Sequence, residues 1–118
     1  MDISEIESCI SKVPDFPKPG ILFYDISTLL SNKEAFNSSI ELLSKIASNF
    51  EFDLIAGIDA RGFIFSSAVS HNLNSALLMI RKKNKLPGKT ISEEYDLEYG
   101  KDTLEINVNV NKKKIILI

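Results

Sequence analysis

The chain of 118 residues has no tryptophan, one histidine, one cysteine and five glycines. A lone Cys9 excludes an intrachain disulfide framework and a cysteine-rich metal site. It reads as a small apolar residue of an N-terminal helix. No apolar run reaches the roughly 20 residues that a membrane-spanning helix needs. The opening MDISEIESCI is acidic and lacks the basic-then-apolar order of a secretory leader. An excess of one charge is missing too: 14 Lys and Arg face 16 Asp and Glu, for a net charge of −2. Such balance gives no global pull toward nucleic acid or an anionic membrane. The lone His71 falls near a helix end, where capping or solvation is commoner than catalysis. The expectation is a soluble, cytoplasmic protein, with the 44% hydrophobic and 25% charged content of an ordinary globular chain.

No internal repeat is evident. Ile3, Ile6, Cys9, Ile10 and Val13 follow a helical spacing, which predicts a helix over 3–13 ended by Pro14. PDFPKPG carries three of the chain's four prolines and reads as a stiff, extended segment. Asn32 can cap a helix over about 33–49, with Phe36, Ile40, Leu43 and Ala47 on one face. Leu54 to Ile58 reads as a buried strand, 59–62 as a tight polar turn, Phe63 to Asn72 as a helix and Ala76 to Ile80 as a strand. This is a strand–helix–strand crossover, the unit of a parallel sheet. LEINVNVN alternates strictly from Leu104 to Asn111 and predicts a strand with one dry face. Ile115 to Ile118 reads as a central strand, apolar on both sides.

Several short stretches suit phosphate or heterocycle chemistry. In GIDARGF a strand runs through a short turn into a helix, whose N-terminal N–H groups attract anions. Arg61 adds a forked cation there. From spacing alone an ordinary turn with a solvated arginine is the commoner outcome. IRKKNKLPGK places Arg81, Lys82, Lys83, Lys85 and Lys89 within nine residues, a local positive field suited to a polyphosphate. The usual fate of such a run is a solvated loop. Nucleic-acid binding lacks interleaved aromatics and a basic surface elsewhere. GILFYDIS sets Phe23 and Tyr24 after the proline-rich turn, where a ring can stack on a base or simply close the core. EEYDLEYG carries Glu93, Glu94, Asp96 and Glu98 beside two tyrosines. It can hold a proton-exchanging carboxylate or be an exposed acidic loop.

In order and spacing, VPDFPKPGILFYDIS, AGIDARGFIF, IRKKNKLPGKT and YDLEYGKDTLEI resemble adenine phosphoribosyltransferases of the type I phosphoribosyltransferase family, over nearly the whole chain from Val13 to Ile118. The resemblance implies an α/β fold, a mainly parallel sheet flanked by helices, with a purine-binding hood segment at the N-terminus. Residues 1–32 match the N-terminal helix and purine-binding segment, and 33–118 the first part of the α/β core, of a single domain. It implies purine salvage: transfer of a phosphoribosyl group from phosphoribosyl pyrophosphate to adenine, with substrate-bound Mg²⁺, by a cytoplasmic homodimer. Phe23 matches the ring that stacks on adenine. Leu22 and Tyr24 match positions whose backbone groups bond the adenine edge, although Tyr24 stands where arginine is usual. Asp59, Ala60 and Arg61 match the pyrophosphate-binding turn, where a cis bond between Asp59 and Ala60 is implied. Arg81, Lys82 and Lys85 match the basic segment near the pyrophosphate. Glu98 matches the carboxylate that exchanges a proton near purine N7, and Tyr99 its neighbour on a mobile loop. No residue matches a metal ligand.

The resemblance further implies that the strand at Ile115–Ile118 runs into an acidic pair and a Gly- and Thr-rich loop for the ribose 5′-phosphate. The sequence reads as stopping before them. The expectation is that these residues alone are inactive, or serve as a non-catalytic remnant that associates with a full-length subunit.

Overall fold

The computed structural model describes residues 1–97 and 99–118. They form a mixed α/β structure of two compact units, 1–45 and 46–118. The division falls inside the helix Lys33–Ala47.

In the first unit, α1 spans Ile3–Ser8. Asp2 closes its start by a reciprocal cap: Asp2 Oδ1 accepts the Glu5 N–H at 2.8 Å and Glu5 Oε2 accepts the Asp2 N–H at 2.8 Å. The helix does not continue to Val13 as the spacing predicted. Ser11–Pro14 is instead a strand, β1, paired antiparallel with β2, Leu22–Asp25. Two physical reasons apply. The residue before a proline disfavours helical backbone, so Val13 is pushed to an extended conformation. Thr28 also holds the exit of α1, accepting the Ser11 N–H at 3.0 Å and donating to the Cys9 carbonyl at 2.7 Å.

PDFPKPG joins the two strands as a tied turn. Asp15 Oδ1 accepts the Gly20 N–H at 2.8 Å, and the Phe16 N–H donates to the Ile21 carbonyl at 3.2 Å. Gly20 takes φ +88°, where a side chain is disfavoured. A short helix that the sequence did not announce, α2, follows at Ser27–Leu30 and buries Leu29. The long helix α3 runs Lys33–Ala47, and Asn32 Oδ1 caps it by accepting the Ala35 N–H at 3.0 Å. Its buried stripe is Ala35, Ser39, Ser44 and Ala47, small residues flanked by half-buried Phe36, Ile40 and Leu43.

The second unit carries a five-stranded mixed sheet of order β5-β6-β4-β3-β7. β3 (Leu54–Ile58), α4 (Arg61–Asn72) and β4 (Ala76–Lys82) are the expected crossover, with β3 and β4 parallel from Leu54↔Ala76 to Ile58↔Ile80. α4 packs on both strands. Ile55, Ala56, Val69 and Leu78 form the dry centre. Gly57 is required here. A Cβ on it would come within 2.8 Å of Ser66 Cβ and 2.9 Å of the Gly62 carbonyl oxygen.

The strand predicted at Leu104–Asn111 begins and ends earlier. β6 is Gly100–Ile106, antiparallel to β4 through Arg81↔Glu105 and Lys82↔Leu104. The asparagines that looked like its wet face turn the chain instead. Asn109 Oδ1 accepts the Asn111 N–H at 2.9 Å, the local bonding by which Asn competes with a ladder. The acidic stretch read as a loop holds β5, Ile91–Leu97, paired with β6 from Ile91↔Ile106 to Leu97↔Gly100. β7 is Ile115–Leu117, parallel to β3 and at the edge of the described sheet, not at its centre. Asp53 sets its register: Asp53 Oδ2 accepts the Lys114 N–H and the Asp53 N–H donates to the Lys114 carbonyl, both at 2.8 Å.

Candidate functional site

The proposed adenine residues lie on β2 in the first unit. Strand alternation sets Leu22 and Tyr24 on the exposed face and Phe23 on the half-buried one. The Phe23 ring meets Phe16 edge-on, with centroids 5.1 Å apart. Lys12 Nζ lies 5.7 Å from the centroid of Tyr24. Residues two apart on a strand send their backbone N–H and C=O groups to the same edge. Leu22 and Tyr24 therefore direct their backbone groups to the same edge of β2.

The proposed pyrophosphate residues gather at the carboxyl ends of β3 and β4 in the second unit. Asp59 follows β3, and the Asp59–Ala60 peptide is cis, as the resemblance implied. Arg61 is the first residue of α4. The Asp59 side chain is only 8% exposed and accepts from Arg81 Nε at 3.3 Å, with Lys85 Nζ at 3.8 Å from the same oxygen. A buried carboxylate needs such partners. Here they are Arg81 and Lys85, both from the basic segment that the sequence singles out. One negative charge thus fixes two positive ones without cancelling both.

Lys82 is engaged differently. Its Nζ donates to Tyr95 Oη at 3.2 Å and to Asp102 Oδ2 at 3.3 Å, and Tyr95 Oη donates to the same carboxylate at 3.1 Å. The Tyr95 contact, then Asp102, raises the Lys82 ammonium above its ordinary value. The Thr103 backbone N–H, then Lys82, holds Asp102 below its own. Lys82 therefore stands in the hairpin's polar triangle, apart from the Asp59 cluster. Tyr99 is 86% exposed, and Glu98 lies outside the described residues.

Two features escaped the sequence reading. The Tyr95–Asp102 pair is invisible until the hairpin register places Tyr95 opposite Asp102. Glu105 accepts the Asn84 N–H at 2.8 Å through Oε1 and the Thr90 hydroxyl at 2.9 Å through Oε2. These two bonds, the backbone one first, hold its carboxyl below the usual value, aided by Lys83. Among the described residues, no three His, Cys, Asp or Glu side chains gather to hold a metal ion, and no helix is long and apolar enough to cross a membrane.

No family model matches the chain. Curated relatives do. The adenine phosphoribosyltransferase of Parvibaculum lavamentivorans is 47% identical over 116 residues, covering 97% of this chain and 66% of its own length. That of Pseudoalteromonas atlantica is 46% identical over 120 aligned residues, covering 100% of this chain and 67% of the relative. The crystal structure of adenine phosphoribosyltransferase from Thermoanaerobacter pseudethanolicus superposes with a TM-score of 0.92 at 42% identity, covering 98% of this chain and 69% of that one. The chain belongs to the adenine phosphoribosyltransferase family. It spans about two thirds of the length of the curated relatives it matches. The sheet is mixed because the β5–β6 hairpin adds antiparallel strands to the parallel β4-β3-β7 core.

Proposed function

We propose that the chain contributes the adenine and pyrophosphate sites of a cytoplasmic, homodimeric adenine phosphoribosyltransferase acting in purine salvage. Purine N9 attacks ribose C1′. The C1′–O bond to pyrophosphate breaks with its electron pair on the leaving group. Glu98 accepts the proton released at purine N7. Mg²⁺ bound to the phosphoribosyl pyrophosphate would supply positive charge to the leaving group, as part of the substrate and not through ligands of this chain.

The observation that carries this reading is the Asp59 cluster: a buried carboxylate hydrogen-bonded to Arg81 and ion-paired with Lys85, two residues before Arg61 at the start of a twelve-residue helix. Cations held in advance stabilise a leaving anion without reorganising during the reaction. Lys82 would join them on release from Asp102. Adenine is selected by the backbone of Leu22 and Tyr24 and by stacking on Phe23. A fixed backbone acceptor welcomes the exocyclic amine, whereas the carbonyl of hypoxanthine would leave buried groups mismatched.

Calorimetric titration of the full chain with adenine, hypoxanthine and pyrophosphate tests the two sites separately. The expected result is saturable binding of adenine and of pyrophosphate, with hypoxanthine at least about tenfold weaker than adenine, the worth of about one mismatched hydrogen bond. Equal affinity for the two purines would overturn the adenine reading. Pyrophosphate affinity that is unchanged by Arg61→Ala would overturn the phosphate reading.

A further inference from the structure

The basic loop between β4 and β5 has no regular structure of its own, yet its two ends converge on one side chain. Glu105 on β6 lies directly opposite Arg81 in the β4–β6 pairing. Its two oxygens bind Asn84 at the start of the loop and Thr90 at its end, at 2.8 and 2.9 Å. A third tie comes from the same strand end, where Asn107 Nδ2 donates to the Pro87 carbonyl at 3.4 Å. The enclosed turn takes left-handed backbone at Asn84 (φ 66°) and Gly88 (φ 75°). From it Lys85 reaches Asp59 at 3.8 Å.

We propose that Glu105 is a positioning residue of the anion site, clamping both ends of the basic loop so that Lys85 is held beside Asp59. This rests on the pyrophosphate reading above. Glu105 is an acid set among cations, so its bare charge opposes anion binding. Its contribution is geometric: it removes the loop's freedom before the anion arrives, the part of the binding cost that preorganisation saves. The carboxyl, held below its ordinary value by these bonds, keeps both acceptors available through the neutral range.

The opposition between charge and geometry supplies the test. Glu105→Ala removes both. If Glu105 were only a nearby charge, its loss would tighten pyrophosphate binding. As a clamp, its loss weakens that binding by about three- to tenfold, the worth of one or two side chains left to be ordered, and speeds hydrogen exchange at the Asn84 amide. Glu105→Gln removes the charge and keeps the clamp, because its carbonyl oxygen can accept from Asn84 and its amide can donate to the Thr90 hydroxyl. It should bind pyrophosphate as well as the unsubstituted chain or better. Thr90→Val, which cuts one tie, should fall between the unsubstituted chain and Glu105→Ala.

The measurement is calorimetry of the full chain with inorganic pyrophosphate, with adenine as the control ligand that should not respond. Unchanged or tighter pyrophosphate binding in Glu105→Ala overturns the proposal, as does a Gln variant as weak as the Ala variant. If Glu105→Ala does not fold, Thr90→Val and Glu105→Gln decide, and equal affinity in both overturns it. Failure of the unsubstituted chain to bind pyrophosphate would overturn the anion-site reading itself and this role with it. Binding that all variants retain would overturn the clamp alone.

Discussion

Replacing Gly57 by alanine adds one methyl group where β3 and α4 touch. The added Cβ would stand 2.8 Å from Ser66 Cβ and 2.9 Å from the Gly62 carbonyl, with Ser66 Oγ closer still. Rotation about χ1 can move Ser66 Oγ, but Ser66 Cβ and the Gly62 carbonyl oxygen are fixed by the helix backbone. The helix must move off the strand or the strand must bend. Overpacking of this kind costs about 1–3 kcal/mol. The upper part of that range is expected, because a backbone carbonyl is one of the obstacles. Chemical unfolding followed by circular dichroism reads the loss as a lower midpoint with an unchanged slope.

Ser66→Gly separates the contributions. Alone it costs about 1 kcal/mol for glycine inside a helix, partly offset because Ser66 Oγ is buried with no hydrogen-bond partner among the described residues. Combined with Gly57→Ala it removes the side-chain clash and leaves the Gly62 contact. The double-mutant cycle should therefore show favourable coupling of about 0.5–2 kcal/mol, within the range for touching residues. Gly62 is the second residue of α4, so displacement of its carbonyl should also lower pyrophosphate affinity through the neighbouring Arg61. Additive effects, or a Gly57→Ala variant of full stability, would refute the close approach and its link to the anion-binding turn.

Phe23→Ala should weaken adenine binding by about 1–3 kcal/mol if the ring stacks on the base, and fluorescence competition that finds unchanged affinity would leave Phe23 as a ring packed against Phe16. Glu98→Gln, placed in a family member of full length, should lower turnover by about 10²–10⁴-fold with little change in adenine affinity, and full turnover would remove the proton-transfer role. Protection of the Asn84 and Thr103 amides should be flat through neutral pH. The carboxyls of Glu105 and Asp102 are depressed in the folded chain, so their contribution is complete above their ordinary values of 4.5 and 3.8 and is lost as pH falls through the lower folded values. Lys82 is shifted upward, so its contribution is complete below 10.5 and is lost only above that. Amide exchange that accelerates between pH 5 and 8 beyond the ordinary base-catalysed rise would contradict these assignments.

The crossover from Leu54 to Lys82 was legible because hydrophobic runs, a polar turn and a helical period agree there at every level. The Asn32 cap was legible for the same local reason. Alternation misled at NVNVN, where asparagine's affinity for its own backbone outweighs a strand-like pattern. β5 was hidden by its acids, since ISEEYDL has the alternation of neither a dry strand nor a helix. Its pairing with β6 comes from the register of a hairpin, which single-residue preferences do not encode. At the candidate site, the family resemblance supplied Arg61, Arg81 and Lys85, and the structure brings the last two onto Asp59. Glu105 had no local signature. Its meaning arises only when β6 lies against β4 and the basic loop folds over it.

The most direct test of the account joins residues 1–118 to the remaining third of the Parvibaculum lavamentivorans relative and measures AMP formation from adenine and phosphoribosyl pyrophosphate with Mg²⁺. The account predicts turnover that prefers adenine over hypoxanthine and falls sharply with Arg61→Ala. A folded chimera that forms no AMP, or that accepts both purines equally, would contradict it.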